Sequence, residues 1–369
     1  MKKNAYYLPE WDRLFEKITT LENLYAAYRK ARKGKRYRED VAEFEYYRED
    51  NLLQLKRELL SEEYQPGAYY TFRIQDPKPR LISAAKFRDR VVHHAIMNLL
   101  EPLLERSWID DSYSCRKGKG VHKAADRAQE FVRRFQYVLK ADVVQFFPSI
   151  DHEILLSMLD RKIPDRKVFA LLKKIIESGK DILKNEYKLV WFPSDDLFTP
   201  VERDRGLPLG NLTSQILANF YLNPLDQFIK RTLSVKGYLR YCDDFLAFGD
   251  DVHRLEDQCQ AIMEKLAEYR LIVHEKKSAI YPCQKGVLFV GYRIYPYHRR
   301  LRRKNISLFR KRIRQYKSLE KQGILSHRQV QERIQSWIAH ASHANTYRLQ
   351  QNLFKELFFA EDPYLCENL

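Results

Sequence analysis

Apolar residues between 237 and 248 fall into two short runs, 237–240 and 245–248, separated by Tyr241-Cys242-Asp243-Asp244. Runs of Val, Leu, Phe and Tyr at this length predict strands, and the acidic tetrapeptide predicts the tip of a β-hairpin bounded by Gly237 and Gly249. Such a tip could present two carboxylates to a metal ion. It could equally be a plain turn, because Asp bonds its own backbone there. A second alternating stretch, Tyr70, Phe72 and Ile74, is followed by a turn at Asp76-Pro77-Lys78-Pro79 and an extended run Arg80-Leu81-Ile82, which predicts another hairpin. A strand over 137–144 carries Asp142 among apolar residues, and a last hairpin spans 287–294.

Helical spacing accounts for most of the remainder. Val41, Phe44, Leu52, Leu55 and Leu59 predict one packed helix over 40–60. Val92, Ile96, Leu99 and Leu100 give another, with His93 and His94 expected on its surface. Ser149 is a candidate cap for a helix carrying Ile150, Ile154, Leu155, Met158 and Leu159, and Asp151 in its first turn is explained by the helix dipole. The stretch Gly206-Leu-Pro-Leu-Gly-Asn-Leu-Thr-Ser-Gln215 opens a helix with Ile216, Leu217, Phe220, Tyr221 and Leu225 facing a core; its two glycines permit close approach of a ligand to backbone. Leu255, Cys259, Ile262, Met263 and Leu266 mark a further helix before a strand at 271–273. Beyond Asn305 the pattern is helical, with Arg and Lys alternating with Leu, Ile, Phe and Trp337.

Charge changes the picture more than length does. The 369 residues include 66 Lys and Arg against 49 Asp and Glu, a formal net charge of +17, with 24 Tyr and 20 Phe. An excess of that size draws a protein to polyanions, and nucleic acid is the commonest partner. The basic run 28–38 and the Gly-punctuated loop Ser112-Tyr-Ser-Cys-Arg-Lys-Gly-Lys-Gly120 are candidate phosphate contacts or solvated faces. No signal peptide follows Met1, and the longest uncharged segment, 206–225, is interrupted by Gly, Pro and Asn, so the expectation is a cytoplasmic protein with no membrane partner. Five scattered cysteines support neither a disulfide framework nor a zinc site.

A carboxylate inside a strand is costly unless a cation or donors stabilise it. Asp142 on one strand and Asp243-Asp244 on another meet the need of two-metal phosphoryl transfer, which uses carboxylates from separate strands around ions about 4 Å apart. Lys78 and Arg80 near a hairpin tip could grip a triphosphate, or could be a charged edge.

In that order the motifs resemble those of reverse transcriptases. Asp142-Val-Val-Gln-Phe-Phe-Pro-Ser-Ile150 resembles the first palm motif, Gly206 to Gln215 the second, Tyr241 to Asp244 the third, Lys277-Ser278 the palm lysine motif and Phe289-Val290-Gly291-Tyr292 the primer grip. The resemblance implies an α+β right-hand fold: a basic helical extension over 1–68, fingers over 69–136, a palm over 137–296 with an inserted fingers-type segment near 160–205, and a helical thumb over 297–369. It implies two Mg²⁺ ions on Asp142, Asp243, Asp244 and the Val143 carbonyl. It places the incoming dNTP at Lys78, Arg80, Phe147, Leu209, Gly210, Gln215 and Lys277, with Phe147 as gate against a ribose 2′-OH. Arg116, Lys117, Lys119, Arg302 and Arg303 would meet template and RNA/cDNA duplex.

Leu209 and Gln215 depart from the Gln and Pro of most reverse transcriptases. Leu209-Gly-Asn-Leu-Thr-Ser-Gln215, the 112–120 loop and Ser336-Trp-Ile-Ala-His-Ala-Ser-His-Ala344 are similar to diversity-generating retroelement enzymes. That branch, bacterial or phage-encoded, copies a template-repeat RNA into cDNA with errors opposite adenine, alongside a basic pentameric accessory protein. The alternatives are an intron, retron or phage-defence reverse transcriptase, or a non-catalytic RNA-binding protein of the same fold.

Overall fold

The computed structural model describes residues 9–75, 79–193, 195–275 and 278–354. Lys78, Lys277 and all but Pro79 of the expected turn Asp76-Pro77-Lys78-Pro79 lie outside the described residues. Helices and three small sheets are mixed along the chain, the α+β class expected. The chain forms two compact units, one from residues up to 110 with 142–234 and 260–274, the other from 111–141, 235–259 and 275 onward. No helix among the described residues is long and apolar enough to cross a membrane.

The first unit is built on the helix Phe87–Glu105, which packs against Leu21–Ala31 and Leu212–Gln227. Val91, Val92, Ala95, Ile96 and Leu100 on it are fully enclosed. So is His93, contrary to the expected surface position, and His94 is half-buried. The basic run at 28–38 is not one exposed face either: Tyr28 is buried with its ring 5.9 Å from Phe44, whereas Tyr37 is 84% exposed. The single helix expected over 40–60 is two, Glu39–Tyr46 and Arg48–Leu60, because Tyr47 (φ −103°, ψ 36°) leaves helical geometry. Strands β1 (Tyr70–Ile74) and β2 (Arg80–Ala84) form the expected antiparallel hairpin, with Ile74 opposite Arg80.

Asp151, rather than Ser149, caps the helix His152–Lys162: its Oδ1 accepts from Ile154 N–H at 3.0 Å. It does more than offset a dipole. Its side chain is fully buried, with Oδ2 2.7 Å from Arg270 Nη1 and 3.3 Å from Arg203 Nε, and Arg203 also pairs with Asp195. Burial pushes the Asp195 carboxyl up, but Phe192 N–H and Arg203 outweigh it and hold the group below the usual range.

The second unit holds β3 (Tyr137–Asp142, its last residue falling to the first unit), β4 (Gly237–Tyr241), β5 (Asp244–Gly249) and β6 (Ala279–Pro282) in a sheet ordered β4-β5-β3-β6. A second sheet orders β7 (Val287–Phe289), β8 (Tyr292–Ile294) and β9 (Arg299–Leu301) consecutively. The charge of Arg299 and Arg300 hides β9 in the sequence, but arginine stems can lie along a sheet with their heads in water. The helix Val121–Arg134 supplies Ala124, Ala128 and Phe131 to a core with Val138, Leu246, Phe289 and Tyr292. The helices Arg303–Lys321, His327–Ala341 and Tyr347–Phe354 carry a smaller core of Phe309, Ile313 and Leu353, with Phe309 stacked on Trp337 at 3.7 Å.

Candidate active site

The hairpin β4–β5 pairs Tyr241 with Asp244, leaving Cys242 and Asp243 as its two-residue tip. Cys242 adopts φ 57°, the left-handed region that side chains other than glycine enter at a cost. The tip is held from behind by Arg240, 1% exposed, whose Nη1 donates to the Cys242 carbonyl at 2.9 Å. The Arg240 backbone bonds Asp111 O and Tyr113 N–H, so the strand is fixed on both sides of its side chain. Burial pushes the Tyr241 hydroxyl and, more strongly, the Cys242 thiol above their ordinary pKa values; the neighbouring Asp243 charge adds to the latter.

Asp244 begins β5, and β3, which ends at Asp142, is the neighbouring strand. The Asp244 carboxylate is half-buried and meets Lys140 of β3, Nζ to Oδ2 at 3.0 Å. Lys140 Nζ also donates to Leu288 O at 2.7 Å. Asp142, Asp243 and Asp244 are hard oxygen donors of the sort Mg²⁺ takes, so the chemistry of the set fits the ion. Among the described residues no three His, Cys, Asp or Glu side chains already converge as a metal cage. Asp244 has an ammonium for its counter-charge.

Within the first unit, Val143 makes an antiparallel bridge to Val273 through Val144 N–H to Ile272 O (2.8 Å) and His274 N–H to Asp142 O (2.7 Å). This is the wide kind of pair, so Val143's own carbonyl is not spent on it. Phe147 lies half-buried in the short helix Phe146–Ser149, its carbonyl accepting from Leu207 N–H at 2.9 Å. Leu209 O accepts from Ser83 N–H at 2.7 Å, and Asn211, 2% exposed, grips Ser83 O and Ala85 N–H at 2.9 and 3.0 Å. These bonds strap the segment 207–211 to Phe147 at one end and to the C-terminal end of β2 at the other, a strand whose first residue is the exposed Arg80. Gly210 brings the backbone close against β2: at φ 116°, a Cβ there would sit 3.1 Å from the Ile82 side chain. Gln215 is exposed on the first turn of Leu212–Gln227.

In the second unit Phe289 and Tyr292 are buried and flank the two-residue β7–β8 turn, Val290 (φ 41°) and Gly291 (φ 93°). A β-branched residue at positive φ stores roughly 1–3 kcal/mol and persists only where its surroundings dictate it. Here Arg302 N–H bonds Gly291 O at 3.2 Å, and Tyr292 Oη meets His340 Nδ1 at 2.9 Å. Arg302 and Arg303 are exposed at the start of the following helix. In the 112–120 loop Lys117 is exposed, but Arg116 turns inward to Ser112 O at 2.9 Å and the Lys119 ammonium lies 5.1 Å from the Tyr113 ring centre, so those two also shape the loop.

Lys140, Arg240 and Asn211 are the polar residues that sequence reasoning missed. Lys140 had a signal: two residues before Asp142 on a strand, it shares a face with that acid. Arg240 and Asn211 act on backbone groups that sequence spacing does not reveal.

A family profile described as reverse transcriptase (RNA-dependent DNA polymerase) matches residues 74–294, more than half of the chain. The chain belongs to the reverse transcriptase family, RNA-directed DNA polymerases that act as nucleotidyltransferases and generally depend on divalent metal. Protein YkfC of Escherichia coli is 26% identical over 285 residues, covering 65% of this chain and 70% of that protein. The group II intron-encoded protein LtrA of Lactococcus lactis is 24% identical over 221 residues, 58% of this chain but only 34% of its own length. The structure of apo telomerase from Candida Tropicalis, truncated from its C-terminal domain, aligns at a TM-score of 0.46 and 12% identity over 68% of this chain and 60% of that one.

Proposed function

We propose that this reverse transcriptase copies a template-repeat RNA into cDNA with errors at template adenines. The observation that carries the finer reading is the segment Leu209 to Gln215, where an apolar side chain and an exposed amide stand in place of the usual Gln and Pro. Removing one hydrogen bond beside a nascent pair is worth about 1 kcal/mol, or roughly fivefold in discrimination. Further residues, or a basic pentameric accessory protein, add the rest.

Asp142, Asp243 and Asp244, with the Val143 carbonyl, are the residues proposed to hold two Mg²⁺ ions. Bound there, the ions would activate the attacking oxygen and stabilise the leaving group. Lys78, Lys277 and Arg80 bind the triphosphate, Arg80 through its planar fork. The Phe147 ring forms the wall that excludes a 2′-OH, and the hydrogen-bonded strap from Phe147 to Asn211 keeps that wall and Leu209 in fixed register with Arg80. The turn Phe289 to Tyr292 receives the primer end, while Arg116, Lys117, Lys119, Arg302 and Arg303 meet nucleic-acid phosphates. Fingers, palm and thumb are assigned to 69–136, 137–296 and 297–369, with 1–68 as an extension.

The likeness to LtrA favours a second reading, an intron-encoded reverse transcriptase. Sequencing cDNA made by the purified chain on a defined RNA, with and without a candidate accessory protein, separates the two. Errors concentrated at adenine, and reduced by Leu209→Gln, are expected. An even error spectrum in both conditions favours the intron reading, and no cDNA at all contradicts both.

A further inference from the structure

Lys140 joins the acidic hairpin to the strand before the β7–β8 turn, within the second unit. Its Nζ bonds Asp244 Oδ2 at 3.0 Å and Leu288 O at 2.7 Å, and its side chain is only 19% exposed. Leu288 lies on β7, one residue before Phe289, so a single ammonium spans three strands in two different sheets. Both contacts are inside the same compact unit. They are of the strong kind: one charge-assisted bond to a carboxylate and one from the same charge to a carbonyl.

We propose that Lys140 is a positioning residue that sets the primer-end turn against the acidic hairpin and gives Asp244 a counter-charge before any metal arrives. The proposal rests on the polymerase reading for its consequence in turnover, although the linkage itself does not. Adjacent Asp243 and Asp244 repel each other, and a fixed ammonium on the neighbouring strand lets the hairpin close with that repulsion offset. The second bond gives the same side chain a purchase on β7. Because the ammonium is covalently part of β3, moving it moves both partners; a dissolved cation could offset charge at Asp244 but could not hold Leu288.

This role differs from ordinary structural support in what it predicts. Lys140→Met keeps the stem and removes both bonds, so the primer end loses its alignment while an ion approaching Asp244 loses a competitor. The KM for primer terminus should rise at least about tenfold, since one charge-assisted hydrogen bond alone is worth about that much and two are lost. The Mg²⁺ concentration at half-maximal rate should stay level or fall. Lys140→Arg, which can reach both acceptors, should restore most of the primer KM.

The test uses the full chain and a DNA primer on an RNA template with 2-aminopurine at the primer 3′ end. Fluorescence is read in EDTA, where no metal-dependent step contributes, and extension kinetics are read in Mg²⁺. Lys140→Met and Asp244→Asn, which break the same bridge from opposite ends, should alter the terminal 2-aminopurine signal alike in EDTA, and their double variant should alter it little further. Should Lys140→Met fail to fold, Lys140→Arg and Asp244→Asn still report on the link. An unchanged EDTA signal in folded Lys140→Met, or in Asp244→Asn, overturns the proposal. So does a raised Mg²⁺ requirement at constant primer KM, because it would make Lys140 an aid to metal binding. If the wild-type chain itself extends nothing, the polymerase reading fails, and the EDTA signal alone still decides the role of Lys140.

Discussion

Arg240 donates from Nη1 to the carbonyl of Cys242 across 2.9 Å, from a side chain that is 1% exposed. A buried guanidinium therefore fixes the left-handed residue next to Asp243. Arg240→Met keeps most of the volume and removes the donor, leaving a carbonyl whose lost bond costs about 1–3 kcal/mol. The variant should melt earlier and lose at least tenfold in primer extension, with Arg240→Lys intermediate because lysine lacks the planar fork. Wild-type extension by a folded Arg240→Met protein would show that the tip does not depend on this brace.

Asp151 is the buried anion between Arg203 and Arg270. Its replacement by Ala strands Arg203, whose side chain is 5% exposed, without its share of counter-charge. The expected loss is about 3–5 kcal/mol by urea denaturation. Glu153→Ala, which removes an 80% exposed partner of Arg270, should cost under about 1 kcal/mol. Equal losses in the two variants would remove the special role of Asp151.

His93 is fully enclosed, and among the described residues neither ring nitrogen has a hydrogen-bond partner. Burial lowers its pKa to about 3, with His94 and Arg90 adding to the effect; burial, then Lys30, Lys35 and Arg90, lower His94 to about 4. Both pKa values are depressed on folding, so their contribution to stability is complete above the unfolded value near pH 6.5. It is lost as pH falls from there toward 4 and 3, because the unfolded chain takes protons that the folded one refuses. Urea midpoints measured from pH 7 to 4 should fall less steeply for His93→Leu than for the wild type. Parallel curves would mean that His93 does not titrate in this way.

Alternation and turn chemistry made three hairpins legible, though not β6 or β9, and the strand expected at 271–273 is a single bridge at Val273. The acidic hairpin, the β1–β2 hairpin and the turn at Val290-Gly291 lie where period-2 patterns and glycines put them. Burial of individual polar residues was less legible, because it depends on partners distant in sequence. Tyr28 reads as part of a basic run until Phe44 and Phe87 pack around it, and His93 reads as surface until the helices on either side enclose it. Asp151 looks like any first-turn acid; only the arrival of Arg203 and Arg270 from later segments makes it the centre of an ion cluster. The three acids were visible as a motif, whereas Lys140, although its spacing from Asp142 put it on the same strand face, gained its partner Asp244 only through the pairing of distant strands.

Primer extension by Asp243→Asn on a defined RNA template, measured beside RNA binding by the same preparation, tests the central claim most directly. Asn keeps the size and turn propensity of Asp at the hairpin tip and removes its charge. Extension should fall below detection while RNA affinity stays within about twofold of wild type, since binding is carried by Lys and Arg on phosphate. Extension retained at a comparable rate would contradict the assignment of Asp243 to the catalytic metal site.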